Sequence, residues 1–325
     1  MKNAKLFRKL YEENAEECFT KWGYYYPPKT WDEFYAGNVD VFEKHLTKDK
    51  TDIVKTKTYV SLLDTTNDFG FYIAFQQPDY ELLNNVLYQV SRQKLLRSAM
   101  TASGSDHCNA LLDAASSFAC NDFDVIPYFF PQYLPHSKGT FFTEVSVNLL
   151  RVLYYKEDAL KEDALKKATK FLEKKITLWE KTIVAYFMAL VHRNAQDASM
   201  WLQEQCIAYQ KIGYPKSKIS KCFASEIHGM YRFVRLVDEE LFHAIIRPKH
   251  DCFFEPFEVW QQEQNYPKGK LFYTYPSEMD YMNKIFAAEL PVVALKEADN
   301  SNGNKFYKDV EKFVADLTEN VKRIV

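Results

Sequence analysis

Ile219, Phe223, Ile227, Met230, Val234 and Val237 follow one another at spacings of four, four, three, four and three. That period belongs to a helix with a single apolar stripe, and such a stripe is stable only when a second element covers it. At about 100° per residue, Lys221, Ser225, His228, Arg232 and Arg235 share the opposite face. Glu226 falls beside the stripe, where a carboxylate needs a partner, and a cation from a neighbouring helix could supply it. Lys216–His250 therefore reads as a packing helix with a cationic outer face.

The same period recurs along the chain. Residues 3–21 read as a first helix, stopped by Gly23-Tyr-Tyr-Tyr-Pro-Pro28, because consecutive prolines cannot continue it. Thr30 caps a second, Thr51 or Asp52 starts a third, and Pro78 opens a fourth at the position that tolerates proline. Ser103–Asp106 breaks the chain and caps a helix that buries Cys108, Leu111, Leu112, Ala115 and Phe118. Further helices are expected near 141–156, across the tandem Glu157–Lys161 and Glu162–Lys166, and over Trp179–Val191, which is apolar almost all round. Asp197 caps the next, Phe254–Gln264 and Ser277–Leu290 follow, and Asn300–Asn304 precedes a closing helix. Nine glycines in 325 residues are too few for many hairpins or phosphate-cradling loops. Together these features predict an all-α stack of helical hairpins, with at most one short aromatic hairpin or extended segment near 270–275. The proline-punctuated connection 126–139 divides the chain into residues 1–135 and 136–325, as two helical regions or as one continuous domain.

Several function classes lack sequence support. There is no G-x-G, no G-x-x-x-x-G-K-[ST] and no G-x-S-x-G. A net charge of −2 gives no global attraction to nucleic acid or to an anionic membrane. The six cysteines are single, which suits scattered thiols in a reducing compartment. The N-terminus has no apolar run suited to a signal peptide, and no apolar run reaches the ~20 residues of a membrane span. A cytoplasmic protein is expected.

Three candidate sites stand out. The first is the polar stripe Lys221, Ser225, His228, Arg232 and Arg235, which could dock an acidic protein surface or, as a nucleic-acid binder, the basic face of 216–235 could follow phosphates. The second is Glu240 and His243, an E-x-x-H pair of the kind that di-metal bundles use twice. No second E-x-x-H exists here, so no metal and no cofactor is expected. A hydrolase or metal-dependent enzyme would need a site assembled around Glu226, His228, Glu240 and His243. The third is Ser105-Asp106-His107-Cys108, which a helix cap followed by a core cysteine explains better than a catalytic pair, since adjacent helical residues do not face each other. The 52 Phe, Trp and Tyr residues are expected mostly in the core, with any exposed ones serving as partner anchors.

Glu226-Ile-His228-Gly229-Met-Tyr231, Pro248, Phe254-Glu-Pro-Phe-Glu-Val-Trp260 and the Leu290-Pro291 ending give the region from about 140 to 295 a further aspect. It resembles large all-helical immunity proteins of bacterial polymorphic-toxin systems and neighbouring uncharacterised bacterial families. That resemblance implies a non-enzymatic protein that binds and blocks one cognate toxin, and it transfers no site residues. The near-neutral charge departs from the acidic character that suits a basic nuclease toxin, which leaves the toxin's class open.

Overall fold

The computed structural model describes residues 2–23, 27–44, 51–62, 68–101, 106–213, 216–297 and 306–324. Tyr24–Tyr26, Ser103–Ser105 and Asn300–Asn304 lie outside the described residues. The chain begins with α1 (Lys2–Trp22), α2 (Trp31–Lys44), α3 (Asp52–Leu62), α4 (Asp68–Gln76) and α5 (Tyr80–Met100). It continues through α6 (Leu111–Phe118), α7 (Val125–Phe129), α8 (Phe142–Tyr155), α9 (Asp158–Leu172), α10 (Leu178–Val191) and α11 (Ala195–Lys211). The last third holds α12 (Ser225–Val237), α13 (Glu239–Ala244), α14 (Glu255–Glu263), α15 (Asp280–Ala287), the strands β1 (Leu295–Glu297) and β2 (Phe306–Lys308), and α16 (Val310–Lys322). No helix among the described residues is long and apolar enough to cross a membrane.

The all-α architecture is as expected, and successive helices pair off: α8 with α9, α10 with α11, α12 with α13. Their ends follow local chemistry. Thr177 and Glu180 form a capping box at α10, and Thr30 accepts from the Glu33 N–H at 3.2 Å before α2. Two helix starts differ from expectation, by one position at α5 and by three at α11. Asp79, not Pro78, starts α5 by accepting from the Leu82 N–H at 2.8 Å. Asn194 starts α11 by accepting from the Asp197 N–H at 3.0 Å, so Asp197 lies inside the first turn.

One cluster of buried apolar side chains runs from Ala4 to Val321 and includes residues on both sides of position 135, which lies between α7 and α8. At its centre α6 packs against α12 so closely that a Cβ on Gly229 would coincide with the carbonyl oxygen of Ala115. Glycine is required there by the approach of two backbones.

The hairpin is not where the aromatic run suggested. β1 and β2 pair antiparallel, with Leu295 opposite Lys308, whereas Lys270–Tyr275 is extended without being a strand. Its backbone is held by helix side chains instead. Asn85, Gln89 and Gln93 recur every four residues on one face of α5. Asn85 Oδ1 accepts from the Lys270 N–H at 3.0 Å. Gln89 Oε1 accepts from the Phe272 and Tyr273 N–H groups at 3.1 and 3.0 Å, and its Nε2 donates to the Tyr273 carbonyl at 3.1 Å. Gln93 Nε2 donates to the Tyr275 hydroxyl at 3.2 Å. A row of amides thus does for this segment what a neighbouring strand would do.

Two outcomes follow for stability, both measurable by chemical denaturation. Gly229→Ala should cost about 3 kcal/mol or more, because α6 and α12 must separate. Gln89→Leu should cost roughly 2–4 kcal/mol by stranding three backbone groups at once, two of them buried. A neutral result for either shows that the corresponding contact does not hold the fold.

Candidate functional site

The five residues of the expected polar stripe do not form an outer face. His228 and Arg232 are 0% exposed, and every residue from Glu226 to Val234 is buried. The helical phasing ran through a break: Ser220–Cys222 is a separate 3₁₀ turn and Phe223 is extended, so α12 begins only at Ser225. The side opposite Ile227, Met230 and Val234 is covered by the chain around Phe253–Glu258. Lys221, Ser225 and Arg235 are half-buried and engaged. Lys221 Nζ donates to the Gln210 carbonyl at 3.0 Å, Ser225 Oγ meets Ser116 Oγ at 3.0 Å, and Arg235 lies 3.9 Å from the Tyr266 ring centroid. These residues do not line up as an exposed cationic track for a phosphate backbone.

The buried polar groups of α12 converge on one carboxylate. Glu258 Oε1 accepts from His228 Nδ1 at 2.6 Å, and Glu258 Oε2 accepts from Arg232 Nη2. The Phe254 N–H donates to His228 Nε2 at 3.0 Å. A nitrogen that accepts cannot carry a proton, so His228 is a neutral imidazole with its proton on Nδ1. Its ring is stacked between Phe253, at 4.1 Å and 7°, and Phe223, at 4.9 Å and 22°. Burial lowers the histidine pKa, outweighing the Glu258 carboxylate that favours its charge. Burial also opposes charge on Glu258, but Arg232 and the His228 hydrogen bond prevail and hold its carboxyl below the usual range. An acid–histidine pair of this kind can activate a nucleophile only through a vacant Nε2. Here the backbone of Phe254 occupies it, and the unit positions helices.

Glu226 finds its partner ten residues earlier in the chain: Lys216 Nζ donates to its Oε1, while also lying 4.9 Å from the Tyr209 ring centroid. Burial works against the Glu226 charge, and Lys216 and Lys94 outweigh it, so the carboxyl is lowered. Asp113, on the facing helix α6, is pushed up by burial. Glu240 is paired with Arg193 at 2.7 Å on an 87% exposed side chain, and His243 is exposed. Glu226, His228, Glu240 and His243 therefore do not assemble into one site. Two are enclosed with separate partners, and two face solvent elsewhere.

Among the described residues, the group with metal-ligand potential is Asp106, His107 and Cys108. Ser105 lies outside the described residues. Asp106 Oδ1 is 2.8 Å from His107 Nδ1 and accepts from the Cys108 N–H at 2.8 Å, capping the turn His107–Ala110. Its Oδ2 accepts from Ser137 Oγ at 3.1 Å. The Asp–His–Cys order matches a cysteine-nucleophile triad, but the geometry does not. Cys108 Sγ is 3.8 Å from Nε2 and 4.0 Å from Nδ1, nearly equidistant, so it lies off the lone-pair direction of either nitrogen. Burial raises the Cys108 thiol well above its ordinary pKa, which disfavours the thiolate that attack or metal binding requires.

Comparison with family models, with curated proteins and with solved structures gives no match for the chain.

Glu258, Phe253, Phe254 and Tyr266 complete the α12 environment; sequence reasoning placed Phe254–Gln264 on a helix but gave none of the four a role at this site. The aromatic run Phe253–Trp260 carries two carboxylates, Glu255 and Glu258, and only the second is buried. Acid should destabilise this cluster. The unfolded chain protonates histidine near ~6.5 and glutamate near ~4.3, whereas His228, Glu258 and Glu226 all resist protonation when folded. Stability therefore falls as pH drops through ~6.5, first through His228, and again below ~4.5. Raised Asp113 works in the opposite direction, and the lowered His136 and His250 add to the fall. Thermal melts between about pH 7.5 and 5.5 should show a shallower slope in His228→Gln than in the parent. Equal slopes would remove His228 from this role.

Proposed function

We propose that the chain is a non-enzymatic protein-binding module, most simply an immunity protein that neutralises a cognate bacterial toxin by occupying it. The observation that carries this reading is a contrast between the inside and the outside. The groups with catalytic potential are enclosed: His228, Glu258, Glu226 and Asp106 are engaged by protein partners, and Cys108 is buried out of line with either His107 nitrogen. Large apolar side chains, by comparison, stand in solvent: Trp22, Tyr133, Phe141 and Ile246 are 68–69% exposed.

Tyr133 is the best anchor among them. Its hydroxyl donates to the Val293 carbonyl at 3.2 Å, which fixes the ring while leaving its face open beside the exposed Val292. A held aromatic ring loses little entropy on docking and offers a large contact area. The resemblance of residues from about 140 to 295 to immunity proteins supplies the class of partner.

The test is to express the product of the neighbouring gene with and without this chain. The reading expects that product to be toxic alone, harmless in co-expression and stably bound on size-exclusion chromatography. Tyr133→Ala should weaken the complex by roughly tenfold or more, as loss of an aromatic anchor does. A harmless product that forms no complex overturns the proposal.

A further inference from the structure

We propose that Arg232 and Arg235, which meet at the Tyr266 ring, form with the nearby Arg247 a binding site for a phosphate-type oxyanion. Arg232 is wholly buried, yet only its Nη2 has a hydrogen-bond partner; Nε and Nη1 bond to no protein atom. Arg235 Nε is likewise buried and unpartnered. Guanidinium donors of this kind normally bond to carboxylate, phosphate or carbonyl oxygen, because an unmade bond on an enclosed cation is costly.

The two guanidiniums meet at one ring. Arg232 Cζ lies 4.8 Å and Arg235 Cζ 3.9 Å from the Tyr266 centroid. Arg247 donates from Nε to the Tyr231 hydroxyl at 3.2 Å and from Nη2 to Gln262 Oε1 at 2.9 Å, within electrostatic reach of Glu258 and Tyr266. Glu258 is the one carboxylate hydrogen-bonded to any of the three among the described residues. Three positive charges against one negative leave a surplus of two. A phosphate carries about −1.5 to −2 near neutral pH, so it matches that surplus where a single carboxylate would not. The bidentate geometry of arginine suits it further.

Tyr266 is placed by an unusual turn. Asn265 and Tyr266 both have left-handed backbones, with φ of 55° and 56°, a region that side chains other than glycine enter only when their surroundings hold them there. The turn follows α14 directly, and the Tyr266 N–H donates to the Gln261 carbonyl at 2.7 Å. Tyr266, Arg235 and Arg247 are each half-buried, so the site borders solvent. In this proposal the Tyr266 ring, which lies against both guanidiniums, is what the ligand displaces to reach Arg232.

The test uses the full chain and inorganic phosphate, titrated by calorimetry and by thermal melts with ionic strength held constant by sodium chloride. A saturable heat and a rise in Tm of a few degrees are expected with phosphate and not with acetate. Arg235→Met and Arg247→Met should each weaken phosphate binding at least tenfold. Tyr266→Ala should bind phosphate at least as tightly as the parent. Absence of a saturable phosphate response in the parent overturns the proposal, as does an equal response to acetate. So does a response unchanged in both arginine variants. Should a methionine variant fail to fold, Arg235→Lys and Arg247→Lys take its place, and unchanged affinity in both overturns the proposal equally.

Discussion

The Glu258 carboxylate is enclosed and ionised, and the packing of the C-terminal half follows from the need to neutralise it. An ion removed from water costs several kcal/mol even after relaxation, and two well-placed donors are needed to offset that cost. His228 and Arg232 are four residues apart on α12, so they rise from one face to take the two oxygens of one group. That requirement fixes the rotation of α12 about its axis and its height against α14. Phe223, Phe253 and Phe257 pack around the His228 ring that reaches Glu258. Gly229 lies between His228 and Met230, one turn before Phe233, and lets the other side of the helix reach the backbone of α6. A helix clasped on both sides in this way has one position in the fold.

The helices were legible because their information is local. Apolar spacing, capping residues and prolines sit within a few residues of the boundaries they set, and the all-α class followed from them. The starts at Asp79 and Asn194 were missed by one and three positions, since neighbouring residues compete to begin a helix and local spacing alone does not decide between them. The site was much less legible. A cationic stripe on an amphipathic helix looks the same whether water or a second layer of protein covers it. What distinguished the two here was Glu258, 26 positions beyond Arg232, whose role depends on a contact that no periodicity records. The two histidines show the contrast: His228, assigned to a polar face, is among the most enclosed groups, while His243 faces solvent.

The interior also relies on amides to an unusual degree. Asn84, Asn121 and Gln261 join in a chain in which Gln261 Nε2 donates to Asn84 Oδ1 at 2.6 Å and Asn121 Nδ2 donates to Gln261 Oε1 at 2.8 Å. Asn84 and Asn121 then both donate to the Pro267 carbonyl, at 3.1 and 2.9 Å. Each amide has a donor end and an acceptor end, so the chain fixes the orientation of every member. Such a network adds little net energy over apolar packing, but it rejects alternative registers between α5, the turn at Asn121 and the segment after α14.

The amide row on α5 has a consequence for how the chain matures on the ribosome. Gln89 and Tyr273 are separated by 184 positions. When α5 leaves the exit tunnel, the backbone that its amides will grip has not yet been synthesised. Asn85 and Gln89 must wait in water, or beside a chaperone, until most of the protein has emerged. Contacts of such long span slow the search for the native state and favour late, concerted closure over stepwise growth from the N-terminus. A chain released early, short of residue 270, would display the amide face of α5 with nothing to hold, and quality-control proteases would find it still open.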